Sequence, residues 1–431
     1  MKEIKKIIQS SNPKNPYSDN MQGWEIKKLL DVVDFQRGLT YSKNDEVDFS
    51  DNIVLRSNNV DLKTNKLDFT ELKYINPKIV IPENKKVTKG SLIICTANGS
   101  KSHLGKVALI DDDYDYAFGG FMGLIKPKEN LNSDFLFYLM TSETYKKFIG
   151  ALSDGANINN LKFGDLGEFE IPLPPLPEQQ RIVSILDECF SAIERSRNNA
   201  EQNLKNAKEV FESYLQGVFG GSTGSPTKRD GWEEKKLGEI ALIKGGKRVP
   251  KGYKLEYENT NHPYIRVTDF NDYGSIDLND IRYVNDNVFN EIKNYTISKN
   301  DLYLSIAGTI GKTGIVPDEL DGANLTENAC KLVFKENIDK KFVYYFTKTE
   351  SFKIQTGLNT RTAAMPKLAL TRLASIKFHV PKLIQTQNDF VQKFDAISAE
   401  TQKLEAVYQK KLDDLEELKK SVLRKAFAGE L

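Results

Sequence analysis

GWEIKKL at positions 23–29 returns as GWEEKKL at 231–237, an offset of 208 in a chain of 431 residues. Working outward from that pair, the offset persists. VTKGSLIICTANG (87–99) matches ISKNDLYLSIAGT (297–309) in pattern, FYLMTSETYKKF (137–148) aligns with YYFTKTESFKI (344–354), and FEIPLPPLPEQQ (169–180) with IKFHVPKLIQTQ (376–387). Self-similarity at a fixed spacing means one structural module used twice, and it must be recognised before any motif is interpreted.

Each copy divides by texture. Residues 23–175 and 231–382 hold short β-branched and aromatic runs punctuated by Gly, Asn and Asp, which predicts strands joined by turns. One helical segment stands out in each, SDFLFYLMTSETYKKFI and KKFVYYFTKTESFKI, whose apolar residues recur at three and four. Prolines then announce a helix: IPLPPLP at 171–177, and the lighter VPKL at 380–383. The stretches 176–221 and 383–431 carry apolar stripes close to a seven-residue repeat, Ile182, Leu186, Ile193, Val210 and Phe219 on the first, Phe394, Leu404, Leu418, Val422 and Phe427 on the second. A helix of about 40 residues is roughly 60 Å long. A lone helix of that length cannot bury its stripe on a small domain, so the two are expected to pair as a coiled coil, against the alternative that each folds back on its own domain. The predicted fold class is therefore α+β: two internally repeated strand-rich domains joined by a pair of long antiparallel helices. Residues 1–22 form an N-terminal extension and 222–230, within GGSTGSPTKRD, a linker.

Composition narrows the function. Lys plus Arg number 61 against 60 Asp plus Glu, a net charge of +1. Binding to nucleic acid then requires locally sorted basic residues or a positive field from a partner. Three cysteines (Cys95, Cys189, Cys330) without CxxC spacing, and three scattered histidines (His103, His262, His379), point to no metal site and to a reducing compartment. No apolar run reaches membrane-spanning length and the first residues lack a signal-peptide core, so a cytoplasmic protein is expected.

The motifs of catalysis are missing. GTIGKT at 308–313 has only two residues between its glycines where a phosphate loop needs four. No GxGxxG follows a strand, and the one PP pair, at 174–175, is followed by Leu176 rather than the aromatic residue of an amino-methyltransferase loop. A non-catalytic binding or scaffolding protein is favoured. Polar side chains gather instead in corresponding loops: Arg56, Asn58 and Asn59 beside Arg266 and Thr268; Lys101, His103 and Lys106 beside Thr309 and Lys312; Asn157, Asn159 and Lys162 beside Thr360, Arg361 and Lys367. Arg37, Lys247 and Arg248 join them as basic candidates. Arg and Lys suit guanine edges, Asn suits adenine, and hydroxyls suit either. Unlike residues at equivalent places in two copies fit a protein that reads two different short sequences. A coiled-coil adaptor whose loops touch no DNA, and a self-sufficient methyltransferase, remain as alternatives of other classes.

The two GW starts, PLPPLPEQQRI and the terminal SVLRKAFAGEL together closely resemble the specificity subunit of type I restriction-modification systems, over Gly23 to Leu431. The resemblance implies that each strand-rich domain is a target-recognition domain reading half of a bipartite, asymmetric double-stranded DNA target. It implies that the helical pair sets the spacer and docks two modification subunits, which carry S-adenosylmethionine and methylate adenine, and that restriction subunits can join that core. It implies no cofactor in this chain. The second proline run departs from the pattern, with His379 and Lys382 intruding, which leaves the start of the second helix open.

Overall fold

The structure, a computed structural model, describes residues 23–154, 160–220, 229–357 and 367–431. It divides into two compact units, Met1–Glu201 with Lys410–Leu431, and Gln202–Gln409. In the first unit the strands are β1 (Glu25–Lys28), β2 (Val33–Arg37), β3 (Glu46–Val47), β4 (Ile53–Leu55), β5 (Lys73–Ile75), β6 (Leu92–Cys95), β7 (Val107–Leu109), β8 (Tyr116–Phe118), β9 (Met122–Pro127) and β10 (Glu170–Leu173). In the second they are β11 (Trp232–Lys236), β12 (Ala241–Gly245), β13 (Pro263–Ile265), β14 (Arg282–Tyr283), β15 (Leu302–Ser305), β16 (Thr313–Ile315), β17 (Asn324–Leu325), β18 (Ala329–Phe334) and β19 (Lys377–Pro381). The helices used below are α1 (Ser133–Leu139), α2 (Glu143–Asp154), α3 (Leu176–Phe219), α4 (Lys340–Thr347), α5 (Glu350–Thr356) and α6 (Ile384–Phe427).

The duplication extends to strand order. An antiparallel sheet β2-β9-β6-β7 in the first unit has its counterpart in β12-β18-β15-β16, and the ribbon β1-β10 in β11-β19. The smaller sheets, β3-β5-β4-β8 and β14-β13-β17, each contain one parallel pair, β4 with β8 and β13 with β17. The run LIIC (92–95) is continuously apolar because β6 is buried on both faces. Leu92 and Ile94 point into a cluster with α1, α2 and the long helices, while Ile93 and Cys95 point the other way, to Leu55, Val60 and Phe118. In β15, Leu302 and Leu304 face one cluster and Tyr303 the other.

The helical segment of each domain is broken, where one helix was expected. Ser142 accepts the N–H of Tyr145, and Thr349 accepts that of Phe352, so each hydroxyl starts a second helix after a one-turn interruption.

The stripes of α3 and α6 are shared between each other and the domains. In the first unit Ile182, Leu186, Cys189 and Ile193 of α3 lie in one cluster with Leu415, Val422, Leu423 and Ala426 of α6, together with Phe135 and Leu136 of α1. In the second unit Leu215 and Phe219 of α3 cluster with Val391 and Phe394 of α6 and with Phe342 and Phe346 of α4. Within each unit the start of one long helix meets the end of the other, so the segments are antiparallel. Both packing expectations therefore hold part of the answer. Pairing alone would leave the domain faces of the helices wet, and each fully buried Leu or Phe is worth about 1.5–3 kcal/mol.

Polar latches repeat with the packing. Gln179, fully buried, accepts the N–H of Asn132 at 2.8 Å and donates to the carbonyls of Asn130 (3.0 Å) and Pro174 (2.8 Å). Gln387 does the same to Asp339 (2.8 Å), Asn337 (3.1 Å) and Pro381 (2.9 Å). Asn132 and Asp339 are the N-caps of α1 and α4, so each glutamine ties the first turn of a long helix to the cap of a domain helix. Tyr138 also donates to Asp187 of α3, and Tyr345 to Asp395 of α6.

Candidate nucleic-acid interface

Strand polarity sorts the loops of each unit to two ends. The helix-start end of the first unit holds Asn130, Asn132 and Pro174 around Gln179. At the opposite end β2 and β4 finish, β6 passes into β7 through 96–106, and β8 passes into β9 through 119–121. Backbone bonds bind these loops into one surface: Leu39 N–H to Phe118 O (2.7 Å), Gly119 N–H to Leu55 O (2.9 Å), Thr96 N–H to Phe121 O (3.0 Å) and Leu161 N–H to Thr96 O (2.6 Å). Asn98 donates to Ser57 Oγ at 2.6 Å, joining two of them through side chains. The backbones pass so closely that a Cβ on Gly38 would lie 2.0 Å from the Gly119 carbonyl oxygen; on Gly246, its counterpart, it would lie 2.1 Å from that of Thr326.

The second unit builds the same end. Gly246 N–H bonds Ala329 O (3.0 Å), Lys247 N–H bonds Leu325 O (2.8 Å), Thr326 N–H bonds Ile265 O (3.0 Å) and Leu368 N–H bonds Ile306 O (2.8 Å). Of the described candidates, Arg37, Arg56, Asn58, Asn59 and Lys162 in the first unit, and Lys247, Arg248, Arg266, Thr268, Thr309 and Lys367 in the second, stand on or next to these loops, whereas Lys101 and Lys106 line a hollow with Glu143 and Lys146 of α2 and Glu416 and Lys420 of α6. Asn157, Asn159, Thr360 and Arg361 lie outside the described residues.

Several of these side chains also serve the fold. Asn59 is 1% exposed; its oxygen accepts the Arg56 N–H at 2.8 Å and its amide holds the carbonyls of Asp68 and Glu71. Lys106 is buried, bonds Val60 O at 2.7 Å, and burial depresses the pKa of its amine. Arg266 is tied to Asp269 (2.5 Å) and Asp280 (3.1 Å); the hydrogen bond it donates to Asp269 outweighs burial and raises its pKa. Lys312 pairs with Asp272 at 2.8 Å and reaches Phe270 O. A polar loop residue that closes backbone carbonyls looks identical in sequence to one that faces solvent. The apolar stripes of the two long helices are largely packed inside their own units. Ile182, Leu186, Ile193, Phe219, Phe394 and Val422 are core, with Leu418 and Phe427 half-buried against it, and of the ten only Val210 and Leu404 are exposed.

Arg37, Arg56, Asn58, Lys101, Lys162, Lys247, Arg248, Thr268, Thr309 and Lys367 remain exposed. Arg37 lies 5.8 Å from the Phe163 ring centroid, and Lys247 5.5 Å from that of Tyr295, which orients cations without burying them. Arg248 meets Glu327 at 2.5 Å, and Lys367 donates to the Glu327 carbonyl at 2.9 Å. Partial burial pushes the Glu327 carboxyl up, but the bond from Arg248 and that from Thr326 hold it below its ordinary value. Phe121, Glu327 and Asn328, on the loops between β8 and β9 and between β17 and β18, were not anticipated. Aligning AFGGFMGLI (117–125) with NLTENACKL (324–332) would have exposed them as the variable middle of two matched strands. Among the described residues no group of His, Cys, Asp and Glu could hold a metal ion, and no helix is long and apolar enough to cross a membrane.

A family model for the type I restriction modification DNA specificity domain matches residues 21–202 and again 229–414. The specificity subunit of type I restriction enzyme EcoKI from Escherichia coli K12 is 26% identical over 436 residues, covering 95% of this chain and 89% of the relative. That of StySPI from Salmonella potsdam is 24% identical over 425 residues, with the same 95% and 89% coverage. In fold, the chain is similar to one from a structural study of complex assembly and conformational transition of the type I R-M system, with a TM-score of 0.78 at 19% identity, covering 96% of this chain and 100% of that one. It is also similar to the HsdS subunit from Thermoanaerobacter tengcongensis, with a TM-score of 0.57 at 19% identity over 95% and 97% of the two chains.

Proposed function

Since the chain belongs to the type I restriction-modification DNA specificity family, matched over both of its copies, we propose that each unit reads one half of a bipartite target in double-stranded DNA with the loop end just described. The observation that carries this reading is the pairing of a shared backbone frame with unlike exposed side chains: Arg37 and Asn58 in one unit, Arg248, Thr268, Thr309 and Lys367 in the other. A fixed frame sets register on the duplex while different side chains select different bases. The chain works without chemistry of its own. Modification subunits, two per chain, bind S-adenosylmethionine and methylate adenine at the site it selects, restriction subunits join that core, and the whole acts in the cytoplasm. Their positive surfaces supply the phosphate neutralisation that a chain of net charge +1 does not.

The length of α3 and α6 sets the unspecified spacer. Both helices cross the unit boundary, α3 at Glu201–Gln202 and α6 at Gln409–Lys410. Four residues inserted at each boundary add about 6 Å of helix, close to two base steps of about 3.4 Å. Sequencing the methylated positions in cells that carry the lengthened chain should show both half-sequences unchanged and the spacer one or two base pairs longer. An unchanged spacer would refute the ruler role, and methylation by the isolated chain would refute the non-catalytic one.

A further inference from the structure

At the loop end of each unit one residue sits in the same backbone cradle and shows a different side chain. The Phe121 carbonyl accepts the N–H groups of Thr96 (3.0 Å) and Ala97 (3.1 Å), and the Thr96 hydroxyl at 3.0 Å as well. The Asn328 carbonyl accepts the N–H groups of Ile306 (2.8 Å) and Ala307 (3.2 Å). The match is positional: Phe118 and Leu325 end β8 and β17, Met122 and Ala329 begin β9 and β18, and the cradled residue precedes the latter in both. Its backbone is therefore held on two sides, by the sheet and by the neighbouring loop.

Neither side chain belongs to the core: Phe121 is exposed and Asn328 half-buried. Phe121 is 71% exposed on a loop whose other residues, Gly119 and Gly120, offer nothing to cover it. Asn328 makes no side-chain hydrogen bond among the described residues and stands beside the Arg248–Glu327 pair. A rigid backbone carrying an unengaged side chain loses little further entropy when that side chain meets a ligand. In the major groove an aromatic or aliphatic group contacts the thymine 5-methyl, whereas asparagine bonds the N6 and N7 edge of adenine.

We propose that this cradled position is specificity-determining: Phe121 contacts the methyl of a thymine in one half-site, and Asn328 reads an adenine in the other. The inference rests on the loop end meeting DNA, and the test separates the two claims. The chain is assembled with its modification subunits and its binding measured on duplexes of the methylated target in which each thymine in turn is replaced by deoxyuridine, which lacks only the methyl. One replacement in the first half-site should weaken binding about fourfold, the worth of one buried methyl group, and Phe121→Ala should abolish that sensitivity while Phe121→Leu keeps part of it. In the second half-site, replacing one adenine by 7-deazaadenine should weaken binding about fivefold, and Asn328→Ala should remove the difference. Both side chains lie outside the core, so the melting temperatures of the variants should match the parent. A first half-site without a methyl-sensitive thymine, or sensitivity that survives Phe121→Ala, overturns the assignment of Phe121; persistence in Asn328→Ala overturns that of Asn328. If the double variant Arg37→Gln, Arg56→Gln leaves binding unchanged, the loop end does not meet DNA and the functional reading of the site falls with the proposal.

Discussion

Replacing Gln179 by leucine should cost the first unit about 3 kcal/mol. The side chain is fully buried and makes three hydrogen bonds, all to backbone, at 2.8, 3.0 and 2.8 Å. Each such bond contributes about 1 kcal/mol net. Leucine has the volume to fill the space and recovers some burial energy, but it leaves the Asn132 N–H and the Asn130 and Pro174 carbonyls without their partner, and a stranded buried polar group costs about 1–3 kcal/mol. These opposing terms leave a loss near 3 kcal/mol, which for a unit of about 200 residues lowers the melting temperature by roughly 6–12 °C. Calorimetry with urea titration reads both quantities. Gln180, its exposed neighbour in sequence, provides the control: Gln180→Ala should stay within about 0.5 kcal/mol of the parent. Gln387→Leu should repeat the loss in the second unit, and because the two latches share no partner the double variant should be additive. A shift for Gln179→Leu as small as that of the control would refute the idea that the glutamine fastens the long helix to its domain.

Burial pushes the Lys348 amine down to about 8, with Lys312 acting in the same direction and Asp272 against it. Between pH 8 and 10.5 the unfolded chain holds a proton that the folded chain has released, so this group makes stability rise with pH across that window, while below pH 8 its penalty is constant. Lys348→Met should therefore stabilise the second unit by about 1–2 kcal/mol at pH 7, and the difference between variant and parent melting temperatures should shrink as pH is raised to 10. Gly38→Ala should destabilise the first unit by about 1–3 kcal/mol or more, because the added Cβ meets the Gly119 carbonyl at 2.0 Å. Gly99→Ala, with nothing within 4 Å, should be close to neutral in the same urea titration.

What could be read from the sequence was whatever repeats. GWEIKKL and GWEEKKL place β1 and β11 at equivalent sheet edges, and the proline runs place the first turns of α3 and α6, because backbone restrictions at Gly, Trp-flanked strands and Pro act locally. What could not be read was direction. Asn58 and Asn59 are adjacent and chemically identical, and both donate to the Glu71 carbonyl, yet one stays exposed and the other is buried. The heptad stripe showed that α3 and α6 bury a face but not that the domains share it. Phe121 sits in GGFMGLI, an apolar run that predicts core, and its exposure depends on a loop that folds over from β6. The helix break at Ser142 depends on a hydroxyl that could equally have faced solvent.

The two copies also differ unevenly, and the unevenness has a physical cause. At the helix-start end the chemistry is duplicated atom for atom: a glutamine to one N–H and two carbonyls, and a tyrosine to an aspartate. At the loop end the backbone bonds are duplicated while several of the side chains are not. Phe121 stands where Asn328 does, and Gly120 where Glu327 does. A latch that satisfies buried polar groups tolerates no substitution without stranding one of them, because desolvation is already complete. A side chain presented from a backbone fixed by its own hydrogen bonds can be exchanged at almost no cost to the fold. Binding specificity can then vary at the loop end without disturbing the attachment of the long helices, and that separation is what allows one module, used twice, to recognise two unlike sequences.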